Sequence, residues 1–104
     1  MELIEKVFMV AKAQSNRFPE GDSPFNIVSR LLEESGEVAW ELNHYARKGI
    51  SIDRLDSGGK RELVYETYQV MIALCQLMQY FNLEDDLKKR IDEVHQEYKS
   101  KGYL

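Results

Sequence analysis

The residues of this sequence whose type and spacing best suit them to chemistry fall in two polar rows, Glu34, Glu37 and Glu41 and, further along, Glu62, Glu66 and Gln69. In the stretch Leu31-Leu32-Glu33-Glu34-Ser35-Gly36-Glu37-Val38-Ala39-Trp40-Glu41-Leu42, an apolar stripe of Val28, Leu31, Leu32, Ser35, Val38, Ala39, Leu42 and Ala46 recurs at helical spacing. Glu34, Glu37 and Glu41, with Arg30, line one flank of it. Like charges one turn apart repel by a few tenths of a kcal/mol per pair, so a cation is the natural remedy, whether lysine, arginine or Mg²⁺. A second polar row, Glu62, Glu66 and Gln69 at i, i+4 and i+7, flanks the apolar stripe of a later segment. Two antiparallel helices packed along their stripes set these rows against each other. The pocket so formed is rich in hard oxygen ligands, which suit Mg²⁺ or Mn²⁺. Divalent cations held there draw in the charged phosphates of a nucleoside triphosphate. They also polarise a phosphoryl oxygen and activate water, so hydrolysis needs no serine or cysteine nucleophile.

The elements that must position these groups are legible as helices. Leu3, Ile4, Val7, Phe8, Val10 and Ala11 give residues 2 to about 15 a 3.6-residue rhythm, broken between Asn16 and Asp22 by Pro19 and Gly21. Ser23-Pro24 starts the second helix, with Ser23 as N-cap and Pro24 at the first helical position. That helix runs to about Arg47 and ends at Gly49. Gly36 inside it costs roughly 1 kcal/mol against alanine, a cost that close approach of another helix would justify. Ile50 to Gly59 reads as a loop. A third helix from about Lys60 to Phe81 becomes apolar nearly all round in its second half, which a second subunit would cover. Asn82 reads as the N-cap of a last helix, carrying Leu83, Leu87, Ile91, Val94 and Tyr98 and stopping near Gly102. No strand-like alternation, repeat or linker interrupts this order. The expectation is an all-α single domain, 1–104, of four helices with the two long central ones antiparallel.

Composition narrows the function. A chain of 104 residues with net charge −4 and 31% charged residues is an ordinary globular protein. That charge disfavours nucleic acid or an anionic membrane as partner, since either needs a basic patch to release counterions. No apolar run reaches a membrane span of roughly 18 residues, and Met1 to Lys6 lacks the basic start of a secretory signal, so the expected location is cytoplasmic. The one cysteine, Cys75, lies in an apolar run and reads as a buried structural thiol. A di-iron carboxylate bundle needs Glu-x-x-His pairs on two helices, and Asp92-Glu93-Val94-His95 is the sole near match.

Glu34-Ser35-Gly36-Glu37 followed by Glu66-Thr67-Tyr68-Gln69 resembles the ExxE…ExxD signature of the all-α nucleoside triphosphate pyrophosphohydrolases, the MazG-like group. The apolar pair before Glu33-Glu34, the glycine ahead of Glu37, the Val-rich run after the second motif and the closing Glu97-Tyr98-Lys99-Ser100-Lys101-Gly102-Tyr103 add to the likeness, which covers roughly residues 23 to 104. The resemblance implies a hydrolase dependent on Mg²⁺, or on Mn²⁺ in its place, that splits an NTP or dNTP into the monophosphate and pyrophosphate in a house-cleaning role and assembles as a homodimer or homotetramer. It implies Glu34, Glu37 and Glu66 as catalytic metal ligands, Gln69 as a further ligand, and Glu33 or one of the three as an aid to the attacking water. Arg30, His44 and Glu62 are the candidates to meet substrate; His44 foremost, or Trp40, could stack on a base, or either could lie in a subunit interface. The sequence departs from the family pattern at Gln69, where an aspartate is expected, which removes one negative charge. Two other readings therefore stand beside the hydrolase: a non-catalytic relative binding nucleotide or a protein partner through the same cleft, and a purely structural helical assembly module.

Overall fold

In the computed structural model, which describes residues 1–47 and 57–104 with the side chains of 44–47 and 57–58 excepted, the chain forms four α-helices and no strand among the described residues. Helix α1 spans Leu3–Arg17, α2 Pro24–Arg47, α3 Ser57–Tyr80 and α4 Glu84–Ser100. Gly49 and the expected loop up to residue 56 lie outside the described residues. Helix α3 already includes Ser57, one turn ahead of the expected start at Lys60.

Local signals explain most of the boundaries. A short 3-10 turn, Pro19–Gly21, separates α1 from α2. The Ser23 hydroxyl accepts a hydrogen bond from the Asn26 amide at 3.3 Å, as its N-cap role requires. The end of α3 departs from expectation. Asn82 does not cap α4; it sits at φ 58 and terminates α3. The Leu83 amide donates to the Met78 carbonyl at 2.8 Å and the Asn82 amide to Gln79 at 3.1 Å, the paired bonds of a left-handed C-terminal cap. Asparagine is among the few residues that tolerate that backbone region. Helix α4 instead begins without a side-chain cap, and Glu84, Asp85 and Asp86 in its first turn set negative charge at the positive end of the helix dipole. Gly102, at φ 78, closes α4 in the same manner as Asn82 closes α3. The Tyr103 amide donates to Tyr98 at 2.9 Å, and the two rings meet edge to face at 5.6 Å.

Helix α3 is the central element, with α1 and α2 packed on it. Phe8 and Ala11 of α1 and Ile72 and Cys75 of α3 form the buried core, with Ile4, Val7, Met78 and Leu87 against it. The Gln79 amide adds a polar tie, donating to the Phe8 carbonyl at 2.7 Å and to Glu84 Oε1 at 2.6 Å. Along α2 the buried face is turned relative to the expected stripe. Ile27 is wholly buried and Leu31, Glu34, Val38, Glu41 and Leu42 are half-buried, whereas Val28 and Leu32 are 39% and 69% exposed. The cause lies on α3, which meets α2 partly through polar side chains and so draws the acidic flank inward. Val64, Tyr68, Met71 and Leu74 of α3 are likewise left on the surface. The radius of gyration, 16.5 Å, exceeds the about 13 Å usual for a domain of this length.

Gly36 is exposed, and a β-carbon built there meets nothing within 4 Å among the described residues, so no neighbouring helix of the same copy accounts for it. Gly36→Ala is accordingly expected to raise unfolding free energy by about 0.5–1 kcal/mol in urea titration, since the helix gains propensity without a clash. A loss of stability instead would mean that something absent from the isolated chain presses on this position.

Candidate metal centre

The antiparallel course of α2 and α3 carries Glu34 and Glu37 to Glu66, and one carboxylate oxygen from each of the three lies within 4.8 Å of the others. The geometry follows from helical spacing. Glu34 and Glu37 are one turn apart on α2, and Glu66 lies where that turn meets α3. Glu66 is 6% exposed, Glu34 half-buried and Glu37 open to solvent, so the group forms a cup with a buried floor and an open rim. Glu66 Oε2 is buried without a hydrogen-bond partner among the described residues. A charged oxygen in that state is unfavourable by several kcal/mol unless a proton or a cation reaches it.

The electrostatics agree. Hydrogen bonding to Glu66, then burial and the charge of Glu66, push the Glu37 carboxyl above its ordinary range. Hydrogen bonding to Glu34, then burial and the charges of Glu34 and Glu62, push Glu66 up as well. No lysine or arginine among the described residues pairs with the three; the ion pairs found are Arg90–Glu93 and Lys101–Glu97, both in the C-terminal region. The donor set is therefore all oxygen and anionic, with a buried acceptor to spare, which fits a hard divalent cation such as Mg²⁺ or Mn²⁺.

The remaining candidates are placed less centrally. Arg30 is engaged elsewhere, its Nη2 donating to Gln76 Oε1 at 3.0 Å. Glu62 is exposed one turn before Glu66 and acts on it through charge. Glu41 lies outside the three-carboxyl group. Gln69 is half-buried, and its amide nitrogen donates to the Tyr65 hydroxyl at 2.8 Å, one turn back on the same helix. Glu33 is exposed and raises Glu37 by charge. Trp40 is 60% exposed on α2. The His44 side chain lies outside the described residues. His95 is exposed on α4. Cys75 is buried, and that burial, aided by Glu84, pushes its thiol up, away from nucleophilic use. Sequence reasoning passed over Gln76 and Ser15, both buried polar residues in the seam between the helices. The available signal was a neutral amide inside the apolar run from Val70 to Met78.

Compared with known protein families, curated proteins and solved structures, the chain matches none.

Raised carboxyl pKa values in the fold mean that the native state holds protons more tightly than the unfolded chain. Their contribution to stability is full below the ordinary value of 4.5 and is lost as pH rises through the folded values. An amide at position 66 mimics the protonated carboxyl at every pH. In metal-free buffer, Glu66→Gln is thus expected to gain thermal stability relative to the parent chain as pH goes from about 5 to about 7.5. A stability difference between the two that is independent of pH would show that the carboxyls are not coupled in this way.

Proposed function

We propose that this chain is a cytoplasmic, Mg²⁺-dependent nucleoside triphosphate pyrophosphohydrolase of the MazG-like kind, converting an NTP or dNTP to the monophosphate and pyrophosphate. The observation that carries the reading is the meeting of Glu34, Glu37 and Glu66 around a buried, unpartnered carboxylate oxygen. Glu34, Glu37 and Glu66 would hold the cation, with the Gln69 carbonyl as a weaker fourth donor. Bound Mg²⁺ (or Mn²⁺) supplies charge compensation for phosphate oxygens and Lewis-acid polarisation of the phosphoryl group. The rest falls to the chain. Glu37, the solvent-open member of the three, is the one an incoming phosphate and its attacking water would reach, and a carboxylate there can take a proton from that water. Glu66 anchors the floor. Glu33 and Glu62 add negative charge around the cup, strengthening its hold on cations while repelling bare triphosphate. Trp40, one turn beyond Glu37, offers a face for a base.

A homodimer or homotetramer belongs to the same reading. The exposed row of Phe25, Val28 and Leu32 on α2 and that of Val64, Tyr68 and Met71 on α3 make apolar surface that one copy leaves in water. A groove of about 620 Å³ between α1 and α3, lined by Leu3, Val7, Val10, Leu63 and Met71, extends it.

Pyrophosphate release from a panel of nucleoside triphosphates with Mg²⁺ tests the activity. Turnover is expected, and Glu37→Gln should cut kcat by about 100-fold or more; release that is unchanged in this variant would place the chemistry elsewhere. The Gln69 amide favours one further reading, a relative that binds nucleotide without turning it over. In that case nucleotides raise Tm without releasing pyrophosphate, and Gln69→Asp, by restoring a charge, tightens Mg²⁺ binding and brings turnover back. Sedimentation of the parent chain should give the mass of two or four copies, and Leu32→Glu together with Met71→Glu should give one.

A further inference from the structure

The seam between α2 and α3 holds, besides the acid cup, one chain of hydrogen bonds that runs through all three packed helices. The Gln76 amide is its middle. Gln76 is 3% exposed; its Oε1 accepts from Arg30 Nη2 of α2 at 3.0 Å, and its Nε2 donates to Ser15 Oγ of α1 at 3.2 Å and to the Ala11 carbonyl at 3.5 Å. Ser15, 7% exposed, donates in turn to Asp22 Oδ1 at 3.2 Å, just ahead of α2. Both ends of the amide are thereby committed, one to each neighbouring helix. The apolar part of the same seam is slight: among the described side chains of α2, Ile27 alone is wholly buried, with Leu31, Val38 and Leu42 half-buried. Apolar contacts are non-directional, and packed helices can slide by about one turn, 5.4 Å, at little loss of apolar burial. The acid cup cannot tolerate that slide, because its three oxygens meet within 4.8 Å. A directional, buried polar contact can prevent it, as a buried polar residue fixes register in coiled coils.

We propose that Gln76 is a positioning residue that sets the register of α2 on α3 and so brings Glu34 and Glu37 to Glu66. Arg30 is its counterpart on α2, one turn ahead of Glu34, and sliding α2 in either direction would strand the buried Gln76 Oε1 and the Arg30 guanidinium, while the Nε2 bonds to α1 stay. Arg30 therefore serves the site through α2's placement. The functional consequence rests on the metal reading of the cup, whereas the register claim does not.

The test separates the two. Spin labels on Ser29→Cys of α2 and Lys60→Cys of α3, in a Cys75→Ala background diluted with unlabelled chain, report the distance between the helices. Mn²⁺ titration reports the cup. The parent is expected to give one narrow distance. Gln76→Met, equal in bulk and unable to bond, should broaden or shift it by a few Å, on the order of one helical turn, and weaken Mn²⁺ binding by about tenfold or more. Gln76→Glu, which keeps an acceptor for Arg30, should retain the parent's distance and Mn²⁺ affinity. Ile72→Val, which loosens the core without touching the seam, should change neither. Should Gln76→Met not fold, Arg30→Met at the half-buried end of the chain carries the same measurement. An unchanged, narrow distance in folded Gln76→Met overturns the proposal, whatever happens to Mn²⁺. A parent chain that takes up no Mn²⁺ overturns the metal reading, while the distances still decide the register.

Discussion

A carboxyl group withdrawn from water beside two others of its own charge is stable only with a proton or a cation among them. Glu66 is held in that state by the packing of α2 on α3, and much of the molecule can be understood from what this packing demands. The two helices must run antiparallel, in one register, with the acidic flank of α2 turned inward. Three carboxyls in contact oppose such an arrangement in the absence of a cation, so the energy that maintains it comes from elsewhere in the fold. The Phe8, Ala11, Ile72 and Cys75 core on the α1 side of α3 provides apolar burial, and the Asp22–Ser15–Gln76–Arg30 chain provides direction.

Helix α3 departs in part from the usual division of a globular helix. Beside Ile72, Ala73 and Cys75 it buries Glu66 and Gln76, while Val64, Met71 and Leu74 are left outside. A polar interior at the seam brings the three carboxyls together, as a purely apolar interface could not. The radius of gyration, 16.5 Å, is large for a chain of this length. Helix α4 touches α3 chiefly near its start, leaving Ile91 and Tyr98 half exposed along its length.

The resemblance to the MazG-like hydrolases rests on Glu34, Glu37, Glu66 and their neighbours in sequence, and no known family or solved structure matches the chain. In the fold, Glu34 and Glu37 converge with Glu66, far away in the chain, to within 4.8 Å. Gln69 stands apart from that convergence, its nitrogen bonded to Tyr65. The acidic character of the cup comes from its three glutamates, with Glu33 and Glu62 around them.

The sequence by itself determined the number and order of the helices, the Ser23-Pro24 start of α2, the Gly102 stop of α4 and the acid pair Glu34/Glu37. Each of these depends on residues within a turn or two of one another, where periodicity and capping act. Helical spacing also marked the row Glu62, Glu66 and Gln69 on the other long helix as facing that pair, and the resemblance to the MazG-like motif picked Glu66 from it. Tertiary structure decided what such short-range signals leave open. Adjacent faces of α2, one through Val28 and Leu32 and one through Ile27 and Glu34, are both partly apolar, and the wheel could not say which meets α3. Asn82 suits either the end of one helix or the start of the next, and the carbonyls of Met78 and Gln79 settled it. Arg30 reads as a free cation until Gln76, forty-six positions along the chain, claims it. Each of these outcomes depends on a partner far away in sequence, and only folding brings that partner into reach.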